Sequence, residues 1–475
     1  MQTIRIGTNG SSIITYQAQY DQAGNLVWET NALGGATYHT RANNPTTGGL
    51  ILGTVNPDGG TRTNTYYADG TLKSTTGTAV HGVAYAYGAG SGVGPATASG
   101  NCPYTTKTCL STNGTSTSES TTDFTDLLGR PCETDFADGA FSQSFYNSFG
   151  QLTNSTSPDT NITLYAYDAK GERLDTAAHL GTGAGIAYSG PDRITRVVTT
   201  NDFSSLLGLT GHVRRTLSYI WLDGATTATC LATNESTTDG LHSASLTPAG
   251  LSSSVTAYGT NGLRTLTSTA PDGSYTVAVY TNARASSAIR YAPGGAQLSG
   301  TAYGYDAHGR QNTATDARNG TTTLVYNNAD LVATNTSASP GTPGGTQQVT
   351  ATLYNRLLQA TNVVQPDGGV VANAYFLTGE LQQTSGARTY PVAYTYDYAG
   401  RMATMTTWTN FSASQGAAVT TWNYSATRGW LTSKHYVDGN GPAYTYCPAA
   451  VWPAGRGRGA RSLNPGGIPE ISPML

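Results

Sequence analysis

Tyr396-Asp397-Tyr398-Ala399-Gly400-Arg401 is the stretch on which the fold turns. The phrase Tyr-Asp-x-x-Gly also stands at Tyr305-Asp306-Ala307-His308-Gly309-Arg310 and at Tyr167-Asp168-Ala169-Lys170-Gly171. Looser copies run Tyr20-Asp21-Gln22-Ala23-Gly24, Tyr146-Asn147-Ser148-Phe149-Gly150, Tyr326-Asn327, Tyr354-Asn355, and Tyr375 leading to Gly379. Tyr146 and Tyr167, Tyr305 and Tyr326, Tyr354 and Tyr375, and Tyr375 and Tyr396 are each 21 residues apart. A short constant period marks stacked units rather than a single-core enzyme fold.

Each unit carries a second turn signal roughly 13 residues after its tyrosine. Pro158-Asp159 follows Tyr146, Pro366-Asp367-Gly368 follows Tyr354, and Pro57-Asp58-Gly59 and Pro271-Asp272-Gly273 are further copies. Asp can bond its own backbone two residues on, and Gly supplies positive φ. Two turns per unit leave two stretches of about seven residues, long enough for strands of about 23 Å. The expected unit is therefore one β-hairpin. Within Ile162–Tyr167, Ile162, Leu164 and Ala166 share one face, while Thr163, Tyr165 and Tyr167 share the other. No long segment has a 3.6-residue period. The expected fold is all-β: a long antiparallel ribbon of tandem hairpins over residues 1–446, curved or spiralled into a partial or complete hollow shell. The ribbon is least regular over 175–300. The steps from Tyr326 to Tyr354 and from Tyr396 to Tyr424 are 28 residues, and the first holds the loop sequence Ser339–Gly345. Residues 447–475, rich in Pro, Gly and Arg, read as a disordered tail.

Charged residues are only 11% of the 475, against about 25% in an average soluble protein. The chain has 30 tyrosines against 8 phenylalanines and 6 tryptophans. An apolar ring with a polar tip suits a sheet that is wet on one side. A net charge of −3 without a basic block across the repeats speaks against nucleic acid. No apolar run is long enough for a spanning helix, and the N-terminus lacks the apolar stretch of a secretory signal. A copy of the phrase as early as Tyr20 suggests a piece of a larger repeat protein. Cys102 and Cys109 lie seven residues apart in what reads as a Gly- and Thr-rich loop, where incidental thiols are the first reading and a small disulfide the other.

Tyr-Asp-x-x-Gly-Arg at a 21-residue step, interleaved with Pro-Asp-Gly, resembles the YD repeat of the Rhs family, shared by shell subunits of insecticidal toxin complexes and by teneurins. The resemblance covers residues 16–446. It implies a hairpin ribbon spiralling into a shell that encloses an effector, often a toxin, and it implies effector domains or other shell subunits as partners. Such shells end in a core-associated segment with Asp-Pro-x-Gly phrases and a self-cleaving aspartate. After Tyr446 this sequence has the prolines and glycines without the aspartates, a departure from the family pattern that bears on both self-cleavage and a cargo on this chain. The function so read is a non-enzymatic scaffold or container, secreted or at the cell surface. The alternative is a surface or secreted module that binds glycan or protein through tyrosine-rich strand faces.

No catalytic, metal-binding or cofactor motif emerges. The seven histidines show no ligand spacing, and neither a Gly-x-Ser-x-Gly elbow nor a phosphate loop occurs. The run Gly88–Gly94 reads as a flexible loop. Asp21, Asp168, Asp306 and Asp397 read as turn residues that bond backbone N–H groups. Gly24, Gly150, Gly171, Gly309, Gly379 and Gly400 read as their left-handed partners. Arg130, Arg173, Arg310 and Arg401 read as pairing with the nearby aspartate or the next hairpin. Tyr165, Tyr303 and Tyr394, each two residues before a repeat tyrosine, read chiefly as packing ladders and alternatively as stacking platforms for sugars.

Overall fold

The structure is a computed structural model. It describes residues 1–6, 12–42, 48–94, 101–181, 183–204, 208–209, 211–221, 225, 227–316, 318–338 and 346–446, with the backbone of 461–463 and 469–471. The expected loop 339–345 and most of the tail 447–475 lie outside these residues. All elements described are strands, and many of the turns that join them are of the two expected kinds. The chain forms two units: residues 1–143, 325–335 and 349–475, and residues 144–324 and 336–348.

In the first unit, each strand from Gln2–Ile6 to Phe141–Tyr146 pairs antiparallel with the next. The same holds from Gln348–Tyr354 to Ala443–Thr445. Strict alternation has a consequence for the turns. All Tyr-Asp turns fall on one rim of the ribbon, and all Pro-Asp-Gly turns fall on the other.

The register slips by one residue just before the repeat tyrosine, at Tyr20, Tyr66, Tyr305, Tyr354, Tyr375 and Tyr396. A bulge at each of these positions increases the local twist and bends the strand, so curvature is built into the repeat itself.

The second unit covers most of the irregular stretch, and there the meander runs unbroken with longer strands, including Arg193–Ser204 and Gly211–Ile220. Two of its turns use other residues. Asn261-Gly262 and Asn282-Ala283 all have positive φ, the geometry of a two-residue hairpin turn. Its core is thin and partly ionic. Leu164, Ala177 and Ile194 line up across three strands. Beside them Asp175, fully buried, accepts two bonds from Arg196 at 2.6 and 2.8 Å and one from the Tyr188 hydroxyl at 2.6 Å. Burying an unpaired carboxylate costs far more than a half-wet sheet gains, so this acid is fully paired.

Two expected loops need correction, while the reading of Cys102 and Cys109 as incidental thiols agrees with the structure. Cys102 and Cys109 are not in a loop. Both lie in the strand Cys102–Leu110, and both are free thiols. Seven extended residues hold them roughly 23 Å apart, whereas a disulfide needs Cα atoms within about 7 Å. The Gly88–Gly94 run is likewise no free loop. Gly88–Gly90 complete the strand Val83–Gly90, and the amides of Val93 and Gly94 donate to Asp135 and Glu133.

Candidate functional site

The recurring turn is the first functional element, and it is built as the residue types require. Asp168 accepts from the amides of Lys170 and Glu172, Asp306 from His308 and Arg310, and Asp397 from Ala399 and Arg401, all at 2.9 Å. Asp21 does the same for Ala23 and Asn25, and Asn147 for Phe149 and Gln151. The glycine that follows is left-handed: φ is +82° at Gly24, +81° at Gly150, +86° at Gly171, +80° at Gly309, +101° at Gly379 and +81° at Gly400. Arg130, Arg310 and Arg401 each turn back onto their own turn aspartate. Arg173 instead lies over the Tyr165 ring at 5.5 Å.

The tyrosine has a role that pattern reading missed. Its hydroxyl donates to a backbone carbonyl of the preceding repeat: Tyr167 to Leu152, Tyr375 to Ala360, and Tyr396 to Leu381, at 2.8–3.0 Å and always 15 residues back. Where a unit is longer, Tyr354 and Tyr424 reach 22 residues back, and Tyr305 reaches 20. The constant interval was the available signal. Tyr165, Tyr303 and Tyr394 are half-buried, and the Tyr165 hydroxyl meets Ser155 at 3.2 Å. A neutral hydrogen bond contributes about 1 kcal/mol net. Tyr396→Phe is therefore expected to lower stability by roughly that amount in chemical denaturation. Tyr390→Phe, at a ring 63% exposed, is expected to change nothing.

The turn carboxylates also set an acid limit. At Asp21 the Asn25 amide and side chain hold the carboxyl below its ordinary value. At Asp126 and Asp306 burial raises it, but the backbone and guanidinium donors of Arg130 and Arg310 outweigh that. A depressed folded pKa stabilises above the unfolded value, and the gain disappears as pH falls through the folded one. Denaturation midpoints should thus hold at neutral pH and drop below about pH 4. Asp306→Asn keeps the acceptor, as Asn147 does natively, and should flatten its share of the decline.

The second element joins residues far apart in sequence. In the first unit, the Tyr-Asp rim of the later strands lies against the Pro-Asp-Gly rim of the earlier ones. Glu119 receives two bonds from Arg401, at 3.0 and 2.9 Å, and one from the Tyr398 hydroxyl at 2.8 Å. Arg428 donates to Asp138 and covers the Phe136 ring at 3.7 Å. Asn31 donates to the Arg356 carbonyl at 2.7 Å, Glu380 bonds His81, and Arg5 pairs with Asp330. Sequence separations are 279 to 325 residues. Burial works against the Arg401 charge, yet its bonds with Glu119 and Asp397 lift its pKa above the ordinary value. Burial likewise raises Glu380, but donors from Thr378 and His81 outweigh it and hold it below.

A cleft of about 330 Å³ opens along this seam, lined by Val80, His81, Leu110, Phe376, Tyr396 and Tyr398. Its acids and bases are spent on one another. Asp397 is occupied by its own turn and Arg401, and the His81–Glu380 pair bridges the rims. The arrangement holds two edges together. Among the described residues no group of three or more His, Cys, Asp or Glu could hold a metal ion. No helix among them is long and apolar enough to cross a membrane.

This geometry defines a ribbon of tandem hairpins stapled tyrosine to backbone. Residues 146–184 match the RHS repeat. The same turn, bulge and staple recur on both sides of that span. No curated protein matches the sequence. Among solved structures, it is similar to TcdB2-TccC3-Cdc42 at 16% identity and a TM-score of 0.46, over 99% of this chain and 25% of that one. TcdB2-TccC3 without its hypervariable C-terminal region gives 15% and 0.44, over 96% and 23%. A Photorhabdus luminescens Tc holotoxin pore gives 12% and 0.41, over 95% and 27%. The chain thus spans about a quarter of the length of these proteins.

Proposed function

We propose that this chain is a non-enzymatic wall segment of an Rhs-type shell that encloses an effector, such as a toxin domain, on the same or a neighbouring polypeptide. The observation that carries this reading is the seam of the first unit. Strands roughly 300 residues apart are locked rim to rim by Glu119, Arg401, Asp138 and Arg428, as successive courses of a wall require. The repeat's polar side chains serve turns and staples, which leaves a scaffold role. Work outside the producing cell or at its surface belongs to the same reading.

Enclosure is tested by fusing an intrinsically unfolded passenger after Leu475 and following its proteolysis, alone and with candidate shell partners. Protection relative to the free passenger supports the container. Cleavage at the free rate in every combination removes it. Glycan binding lost on replacing Tyr165, Tyr303 and Tyr394 would instead place the chain among surface binding modules.

A further inference from the structure

Among the described residues of the first unit, the seam uses the Pro-Asp-Gly rim of residues 1–143 and the Tyr-Asp rim of the later strands, and turn tips on the two remaining rims stand in water. At the turn Asp126-Leu127-Leu128-Gly129-Arg130, on the Tyr-Asp rim of residues 1–143, Leu127 is 88% exposed and Leu128 78%. The equivalent positions in the docked turn Asp397–Arg401 are Tyr398 and Ala399, both partly buried, with Tyr398 bonded to Glu119. Two adjacent leucines at a turn tip in open water are not explained by the turn, which needs only the aspartate and glycine.

Described tips on the opposite rim of the later strands are exposed in the same way. These tips carry Tyr390, 63% exposed, and Val437, 69% exposed. Val437 stands beside Asp438-Gly439, an exposed turn of the same make as Asp138-Gly139, whose carboxylate receives Arg428 across the seam. One remaining rim thus repeats the turn chemistry of the docked Tyr-Asp rim, and the other repeats that of the docked Pro-Asp-Gly rim. Each offers apolar tips for the other to cover.

We propose that the Tyr-Asp rim at Leu127 and Leu128 of one copy docks on the Pro-Asp-Gly rim at Tyr390 and Val437 of a second copy, which extends the internal seam between chains. The occupant is a second copy because this chain itself holds both halves of the contact, already fitted once within its own first unit. The two patches differ, so the contact is heterologous and propagates head to tail. The proposal does not rest on the enclosure reading, since an adhesin built on the same ribbon would have the same rims.

Sedimentation velocity of the full chain across a wide concentration range tests it. The unmodified chain is expected to form a concentration-dependent series of oligomers. Leu127→Asp/Leu128→Asp and, separately, Val437→Asp are expected to stay monomeric with unchanged circular dichroism. Mixed, the two variants should form a pair and stop there, because each retains one intact rim. A wild-type chain that stays monomeric throughout overturns the proposal. So does assembly of either folded variant like wild type, or a mixture without pairs. If the double-leucine variant fails to fold, the Val437→Asp variant carries the test, with mixing against the unmodified chain expected to cap the series.

Discussion

Glu119→Ala is expected to lower the stability of the first unit by about 2–3 kcal/mol, because hydrogen bonds to charged groups are worth more than neutral ones and removing one partner strands the others. Glu119 takes two bonds from the Arg401 guanidinium and one from the Tyr398 hydroxyl. Both charged side chains are about one-fifth exposed, at 19% and 21%. That is buried enough to make their stranding costly and wet enough to keep the cost below that of a fully buried pair. Hydrogen exchange is the informative measurement. Opening should quicken along Ser116–Thr125 and Met402–Asn410 together, though they are far apart in sequence. Faster exchange confined to Ser116–Thr125 would show that the seam does not couple the two sets of strands. Glu119→Gln should fall between the two, since the amide still accepts but has lost its charge.

The second large effect lies at the turn glycines, and their surroundings rank it. A β-branched residue resists positive φ, so Gly400→Val, Gly309→Val and Gly171→Val should each open their hairpin. They should not do so equally. A Cβ at Gly400 would stand 2.9 Å from His81 Nε2, on the rim that docks, with Glu380 also near. The variant therefore strains the turn and pushes the seam apart, and a loss of about 3 kcal/mol follows from the αL penalty with a displaced ion pair. At Gly309 the nearest atom is the guanidinium end of Arg284, and at Gly171 it is the Gln151 amide at 3.2 Å. Both are flexible ends that can move aside, which leaves mainly the turn penalty of about 1–2 kcal/mol. Exchange in Val392–Tyr396 and Met402–Asn410 reads the first, and exchange across each local hairpin reads the others. Three variants as stable as the parent would remove the turn assignment itself.

The turn was legible in the sequence because its chemistry is local. Asp397 and Gly400 are three residues apart, and the bonds they make close within five residues. The irregular stretch was harder because two of its hairpins turn on Asn261-Gly262 and Asn282-Ala283, without tyrosine or aspartate. A search by phrase passes over them, although Asn-Gly is itself a hairpin signal. The stretch around Cys102 and Cys109 reads as a loop because a Thr- and Gly-rich composition suits loops and wet strands alike. Only the pairing of Tyr104 with Phe124 and of Thr105 with Asp123 shows that stretch to be a strand.

By itself the sequence determined the unit, its period and the alternation of its turns, since these depend on contacts between residues near one another in the chain. The tertiary structure alone decided which distant turns meet. Glu119 and Arg401 carry no mark of one another in their neighbourhoods. Their meeting is set by twist and bulges accumulated strand after strand, a sum that no single repeat contains.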